Sequence, residues 1–192
     1  LVVREGWWCA GGLTLHTAAA GSVNAAGGAG AIIPTVIADL ADHLHWIPTL
    51  AGWHHAEWGS LTGAASPSAY EAMLARAATG RTVPSVIIAL EDGALAGSIS
   101  LLACDLPRRW QWTPWLAQLF VAPAHRRGGL GASLVRAALR RTQDCGYPAA
   151  YLYTSGTLPD YYARRGWRAL DTVEHLGRPR TVMRYDLVDA EL

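Results

Sequence analysis

The chemistry-bearing residues of this chain concentrate in one stretch, Val121-Ala-Pro-Ala-His-Arg126-Arg127-Gly128-Gly129-Leu130-Gly131-Ala132-Ser133-Leu134. An apolar run ends at Pro123, glycines turn the chain sharply, and a helical pattern begins. The first N–H groups of a helix lack an intrahelical acceptor, and the helix dipole is positive at that end. Together they attract an anion. Gly128, Gly129 and Gly131 carry no side chain to hold a phosphate away, and Arg126 and Arg127 add positive charge. The spacing reads as a phosphate cradle, against the plainer alternative of a glycine-rich turn with solvated arginines. Two familiar cradles are excluded. A Walker loop requires Gly-Lys-Ser/Thr, and the chain has no Lys; a dinucleotide fingerprint requires Gly-x-Gly-x-x-Gly, and Gly129-Leu130-Gly131 runs on into Ser133 and Leu134.

The same stretch resembles the acyl-CoA loop of the GNAT superfamily, Arg/Gln-x-x-Gly-x-Gly/Ala. Arg126, Gly129 and Gly131 take its fixed positions, with Val121, Pro123 and Leu134 in the usual flanking context. Downstream, Tyr161-Tyr162-Ala-Arg-Arg-Gly166-Trp167 is similar to the family's Phe/Leu-Tyr-x-x-x-Gly-Phe signature, with Trp in place of the last Phe. The resemblance covers roughly residues 31 to 187. It implies an α/β (α+β) fold with a mixed, splayed central sheet and helices on both faces. The strands over 115–121 and 149–153 should part company, with pantetheine lying in the gap along Leu119, Phe120 and Val121. It further implies acetyl-CoA as donor, a pyrophosphate held by Arg126, Arg127, Gly128, Gly129, Leu130, Gly131 and Ala132, and Tyr162 near the cofactor sulfur. A phenol there can protonate a departing thiolate. The alternative for Tyr162 is core packing.

Many family members place a Glu on the strand before the loop, and Trp-Leu-Ala-Gln118-Leu-Phe-Val has no carboxylate. Asp105 and Glu57 are the candidate proton acceptors, each with a bland reading as a surface or capping group. His54-His55-Ala-Glu57 sets His54 and Glu57 three apart, on one face of a helix. Two ligands make no metal site, so no metal is expected. In the family the first helices roof the acceptor site. Trp53, Trp58 and the 105–115 loop, with Arg108, Arg109, Trp110, Trp112 and Trp115, are therefore candidate lining residues.

These groups need elements to position them. Residues 31 to 37 read as a first strand, at a sheet edge because of Pro34. Asp39 is a cap candidate for a helix carrying Leu40, Leu44, Ile47, Leu50 and Trp53, which Pro48 should kink or break. A second helix follows Ser66-Pro67, with Ser66 as cap and Tyr70, Met73, Leu74 and Ala77 on one face. Val86–Leu90 and Leu95–Cys104 flank the turn Glu91-Asp92-Gly93 as a hairpin. Trp115 to Val121 is a strand. A helix over 129–144 buries Leu130, Leu134, Ala138 and Thr142 and leaves Arg136, Arg140, Arg141 and Gln143 solvated, ending at Gly146. A strand over 149–153, a short helix over 159–165 closed by Gly166, and strands over 167–173 and 180–187 complete the pattern.

At 192 residues, about half of them apolar, the chain suits one domain with a real core. Residues 31–192 are assigned to it. The Gly- and Ala-rich residues 1–30 lack periodicity and read as a flexible extension or upstream sequence. A formal net charge of +1 gives no global field towards nucleic acid or membrane, and no apolar run approaches a membrane helix. Three scattered cysteines form no metal or disulfide pattern and fit a reducing cytoplasm. The expected protein is a cytoplasmic N-acetyltransferase acting on a primary amine, as monomer or homodimer. The alternatives are a catalytically silent acyl-CoA-binding sensor and, less favoured, a nucleic-acid-binding domain using the arginines between Arg126 and Arg141.

Overall fold

The computed structural model describes residues 35–187, so the assignments for residues 1–30 and the strand residues 31–34 lie outside the described residues. The described residues open with β1 (Thr35–Asp39), two 3-10 turns (Leu40–Asp42 and Leu44–Trp46), α1 (Ile47–Thr62) and α2 (Ser68–Ala77). The hairpin β2 (Ser85–Glu91) and β3 (Ala94–Leu102) follows, then β4 (Trp115–Val121), α3 (Leu130–Asp144) and β5 (Ala149–Thr154). The chain closes with α4 (Leu158–Ala163), β6 (Arg168–His175) and β7 (Arg178–Asp186). One seven-stranded sheet runs β1-β2-β3-β4-β5-β7-β6. All neighbours are antiparallel except β4 and β5. This is the expected mixed α/β sheet, and β1 lies at its edge.

Side-chain alternation divides the strands between two faces. On one, α3 and α4 cover Ile87, Ile99, Leu116, Leu119, Ala150, Leu152 and Met183. On the other, α1 and α2 cover Val86, Ile88, Leu90 and Leu95, while Trp115, Ala117, Tyr151, Tyr153 and Val182 form a separate apolar cluster. Helix α3 buries Leu130, Leu134, Ala138 and Thr142, the stripe its period dictates, and Gly146 follows it at φ 78°. Tyr70, Met73, Leu74 and Ala77 are likewise the buried face of α2.

Several local expectations are corrected. Pro48 breaks nothing: it stands in the first turn of α1, where its missing N–H has no acceptor to lose. Before it, Leu40 and Leu44 lie on the 3-10 turns while Ile47 opens α1, and Leu44 is exposed. Asp39 caps no helix with its side chain. Its carboxylate instead accepts from Arg141 Nη1 at 2.7 Å and Arg81 Nε at 3.0 Å, so Arg141 is not a solvated member of the α3 surface. Ser66 makes no cap either; its hydroxyl pairs with that of Ser68 at 2.7 Å.

Candidate active site

β4 and β5 run parallel but share one register pair, Trp115 with Tyr151. Beyond it the strands diverge, and the β5-facing backbone of β4 up to Val121 has no strand partner in the register. Leu119, Phe120 and Val121 lie along this open edge, as the resemblance implies. β4 is also bulged. Its register with β3 slips between Ser98 and Ser100, so that Gln118 and Leu119 stand together opposite Ile99. Gln118 sits at φ 52°, a left-handed conformation rare for a residue with a Cβ. Buried hydrogen bonds hold it: Ser100 Oγ donates to its Oε1 at 2.8 Å, and its Nε2 meets Met73 Sδ at 3.5 Å. No sequence signal beyond the missing carboxylate drew attention to Gln118.

After β4 the chain makes a 3-10 turn (Pro123–His125), whose His125 Nδ1 lies 2.6 Å from the Glu91 carboxylate, tying the loop to the β2–β3 turn. Gly129 is the N-cap of α3 at φ 84° and supplies the first helical acceptor, to Ser133 N at 3.1 Å. Arg127 is also left-handed, at φ 72°. Arg127, Gly128 and Gly129 are exposed, and a Cβ at Gly128 or Gly129 would meet nothing within 4 Å, so the turn that leads into α3 is open. Arg126 folds back, donating from Nε to the Val121 carbonyl at 2.9 Å, with its guanidinium 5.9 Å from the Phe120 ring. That bond joins the end of β4 to the cradle. Leu130 is buried, while Gly131 and Ala132 are partly covered at the start of α3.

Tyr162 is 1 % exposed, edge-on to Trp167 and Tyr161, and its buried hydroxyl has no hydrogen-bond partner. Burial raises its pKa well above the ordinary phenol value, with Tyr161 adding to the rise and Arg165 opposing it. It lines a cleft of about 220 Å³ between α3 and α4, with Ala132, Val135, Arg136, Tyr161 and Trp167. The cleft begins at Ala132, in the first turn of α3.

The two carboxylates lie on the other side of the sheet. Asp105 is buried beside Leu106, which packs with Trp115, Tyr151 and Tyr153. Glu57 is half-buried on α1. His54 does not join Glu57 at a metal; among the described residues no three His, Cys, Asp or Glu side chains converge. It is fully buried, with Nε2 3.2 Å from Ser98 Oγ, and desolvation lowers its pKa to about 3. Of the tryptophans expected to line a site, Trp53 and Trp58 meet Phe120. Trp112 stacks on Tyr151 at 5.4 Å, Trp115 is core, and Trp110 is 75 % exposed. Arg109 is drawn to Asp171 of β6.

Sequence reasoning also passed over Arg180. It lies two residues before inward-facing Val182, so strand alternation places it on the inner face, and it is 3 % exposed.

A family model described as the acetyltransferase (GNAT) family matches residues 50–167. Comparison with curated proteins gives no significant match. Among solved structures, the chain is similar to aminoglycoside 6'-acetyltransferase type Ii, with TM-score 0.62 and 16 % identity over 81 % of this chain and 99 % of that one. It is similar to an aminoglycoside 6'-N-acetyltransferase complexed with coenzyme A, at TM-score 0.62 and 14 % identity over 81 % and 99 %. A GNAT acetyltransferase from Streptococcus pneumoniae aligns at TM-score 0.58 and 13 % identity over 80 % and 99 %. At these identities the likeness is one of fold.

Proposed function

The chain belongs to the GNAT acetyltransferase family, and from that premise we propose that it moves an acetyl group from acetyl-CoA to a primary amine by direct attack. The observation that carries the reading is an open β4 edge leading directly into a bare helix N-terminus, with a partnerless buried phenol on the same side of the sheet. These residues fit a coenzyme A thioester. The N–H groups of Gly128 to Ala132, with Arg126 and Arg127, hold the pyrophosphate. The backbone of Leu119, Phe120 and Val121 receives pantetheine as a further strand would be received. Arg136, in the α3–α4 cleft, is suited to the cofactor's remaining phosphate.

Direct attack needs three things: a polarised carbonyl, a neutral amine and a proton for the thiolate. The bulge at Gln118 and Leu119 turns backbone N–H groups out of the ladder, where one can polarise the acyl oxygen. Tyr162 stays protonated through the working pH range and has a hydroxyl proton that nothing else claims. Asp105 and Glu57, on the face opposite Tyr162, are the proposed proton acceptors, directly or through water. The absence of a carboxylate on β4 is the one feature that favours the alternative, a silent acyl-CoA sensor.

Calorimetric titration with acetyl-CoA and with CoA tests the reading, on the wild type and an Arg126→Ala, Gly129→Glu double variant. Micromolar binding by the wild type, lost in the variant, is expected. An amine screen by thiol release then separates enzyme from sensor. Folded wild-type protein that binds neither ligand overturns the proposal.

A further inference from the structure

Arg180 lies near the start of β7, on the sheet face that carries Tyr153 and Val182 and away from α3 and α4. Its Nη1 donates to Ser155 Oγ at 3.1 Å, its guanidinium carbon is 5.9 Å from the Tyr153 ring, and its buried Nε–H meets no acceptor. A guanidinium has five donors and keeps its charge. A buried arginine is ordinarily matched by an anion that takes two of those donors at once. Desolvation pulls the Arg180 pKa down, Tyr153 and Asp105 pull it back and Arg178 opposes them, so the surroundings do not offset its burial. Tyr153 follows the β4–β5 register pair and packs its ring on Trp115 of β4, and Ser155 follows β5, so the guanidinium stands at the β5 end of this face, beyond the paired part of the two strands. On the function proposed above, the thioester lies between those strands. An acceptor that enters from the face opposite Tyr162 meets the side of the sheet that carries Arg180.

We propose that Arg180 receives a carboxylate of the acceptor, and that the substrate class is amino carboxylates, small molecules bearing a primary amine and a carboxylate together. This rests on the acetyltransferase reading and narrows it. The guanidinium fork grips the carboxylate, and the amine is left facing the thioester. The nitrogen forms a bond to the acetyl carbon as the carbon–sulfur bond breaks. One amine proton leaves through the base, the sulfur gains one, and the products are the N-acetyl amino carboxylate and CoA thiol. The same positive charge works against polycationic amines. The fold likeness to aminoglycoside acetyltransferases therefore does not extend to their acceptors.

The test is a thiol-release screen of the full chain on a panel of L-α-amino acids, each beside its amide, with spermidine and kanamycin as polycations. Acetyl-CoA titration of every protein runs in parallel. The expected result is a kcat/KM at least tenfold higher for an acid than for its amide, with both polycations poorer than the acid. Arg180→Gln abolishes that ratio through KM while acetyl-CoA affinity is unchanged. Arg180→Lys, which keeps the charge without the fork, retains part of it. Three outcomes overturn the proposal while leaving the acetyltransferase reading intact: equal rates on acid and amide, equal losses on both in Arg180→Gln, or preference for a polycation. Acetyl-CoA binding with no amino acid acetylated overturns the substrate class. Failure of the wild type to bind acetyl-CoA overturns the function itself and this inference with it.

Discussion

Tyr162 has a hydroxyl that the fold leaves without a partner, and a buried unmade hydrogen bond of this kind costs about 1–3 kcal/mol. Tyr162→Phe should therefore leave stability unchanged or raise it, as urea denaturation will report. With acetyl-CoA bound, the same change should lower kcat by roughly 10²-fold and leave acetyl-CoA affinity nearly untouched. A merely structural Tyr162 would leave kcat unaltered. His54 makes the second prediction at this scale. Its folded pKa of about 3 lies below the ordinary value of 6.5, so between those values the unfolded chain binds the extra proton. Stability then rises with pH across that window and falls as acid is added, by on the order of 1.4 kcal/mol per unit. A His54→Gln variant should flatten this part of the acid limb in urea midpoints measured from pH 7 downwards. A limb of unchanged slope would assign acid sensitivity to other groups.

Among the elements, β3, β4 and α3 meet at Gly97. A Cβ there would stand 2.7 Å from the Phe120 carbonyl oxygen and 3.2 Å from Leu134 Cδ1. Backbone cannot yield as a flexible side chain does, so Gly97→Ala should cost about 1–3 kcal/mol. Because the strain falls on the β4 edge, acetyl-CoA affinity should fall with it; a variant that loses neither would show that β4 shifts freely. At the other end of α3, Arg141 reaches Asp39 with both terminal nitrogens, at 2.7 and 3.0 Å, fastening the helix to the β1 terminus. Asp39→Asn leaves Arg141 without its counter-charge and should lower stability by roughly 2–3 kcal/mol in denaturant midpoints. Arg81→Ala, at an exposed partner, should do much less. This clasp escaped the sequence reading because its members are distant in the chain. Asp39 before an apolar run looks like a cap whichever partner it finally takes.

For the molecule as a whole, the split between β4 and β5 is what the proposed site is built on. The apolar packing on both faces runs across β4 and β5, while the ladder between those two strands holds one register pair. A ligand that lies in the gap joins β4 to β5. Binding to the folded state alone at a hundred times Kd adds about 2.7 kcal/mol. For a domain of this size that is a rise of about 5 to 10 °C in Tm with saturating acetyl-CoA. The rise should vanish in the Arg126→Ala, Gly129→Glu variant. No helix among the described residues is long and apolar enough to cross a membrane.

The sequence by itself determined what is local. The apolar, β-rich runs over 86–90 and 115–121, the stripe Leu130, Leu134, Ala138 and Thr142, and the glycines after helices dictated elements whose bounds differ little from those observed. The strand, turn and helix start around Gly128 to Ala132, where the cradle is proposed, were legible because they are contiguous, and the family was legible from that stretch and Tyr162-x-x-x-Gly166-Trp167. Only tertiary structure decided what depends on partners far along the chain. It set the bulge at Gln118, which needs the β3 register, and the pairing of Asp39 with Arg141. It set the place of His54 against Ser98, and the burial of Arg180 beside Tyr153. Sequence spacing fixes which residues share a face. Which polar group is left short of a partner is fixed only when faces meet, and Tyr162 and Arg180 owe their proposed roles to that.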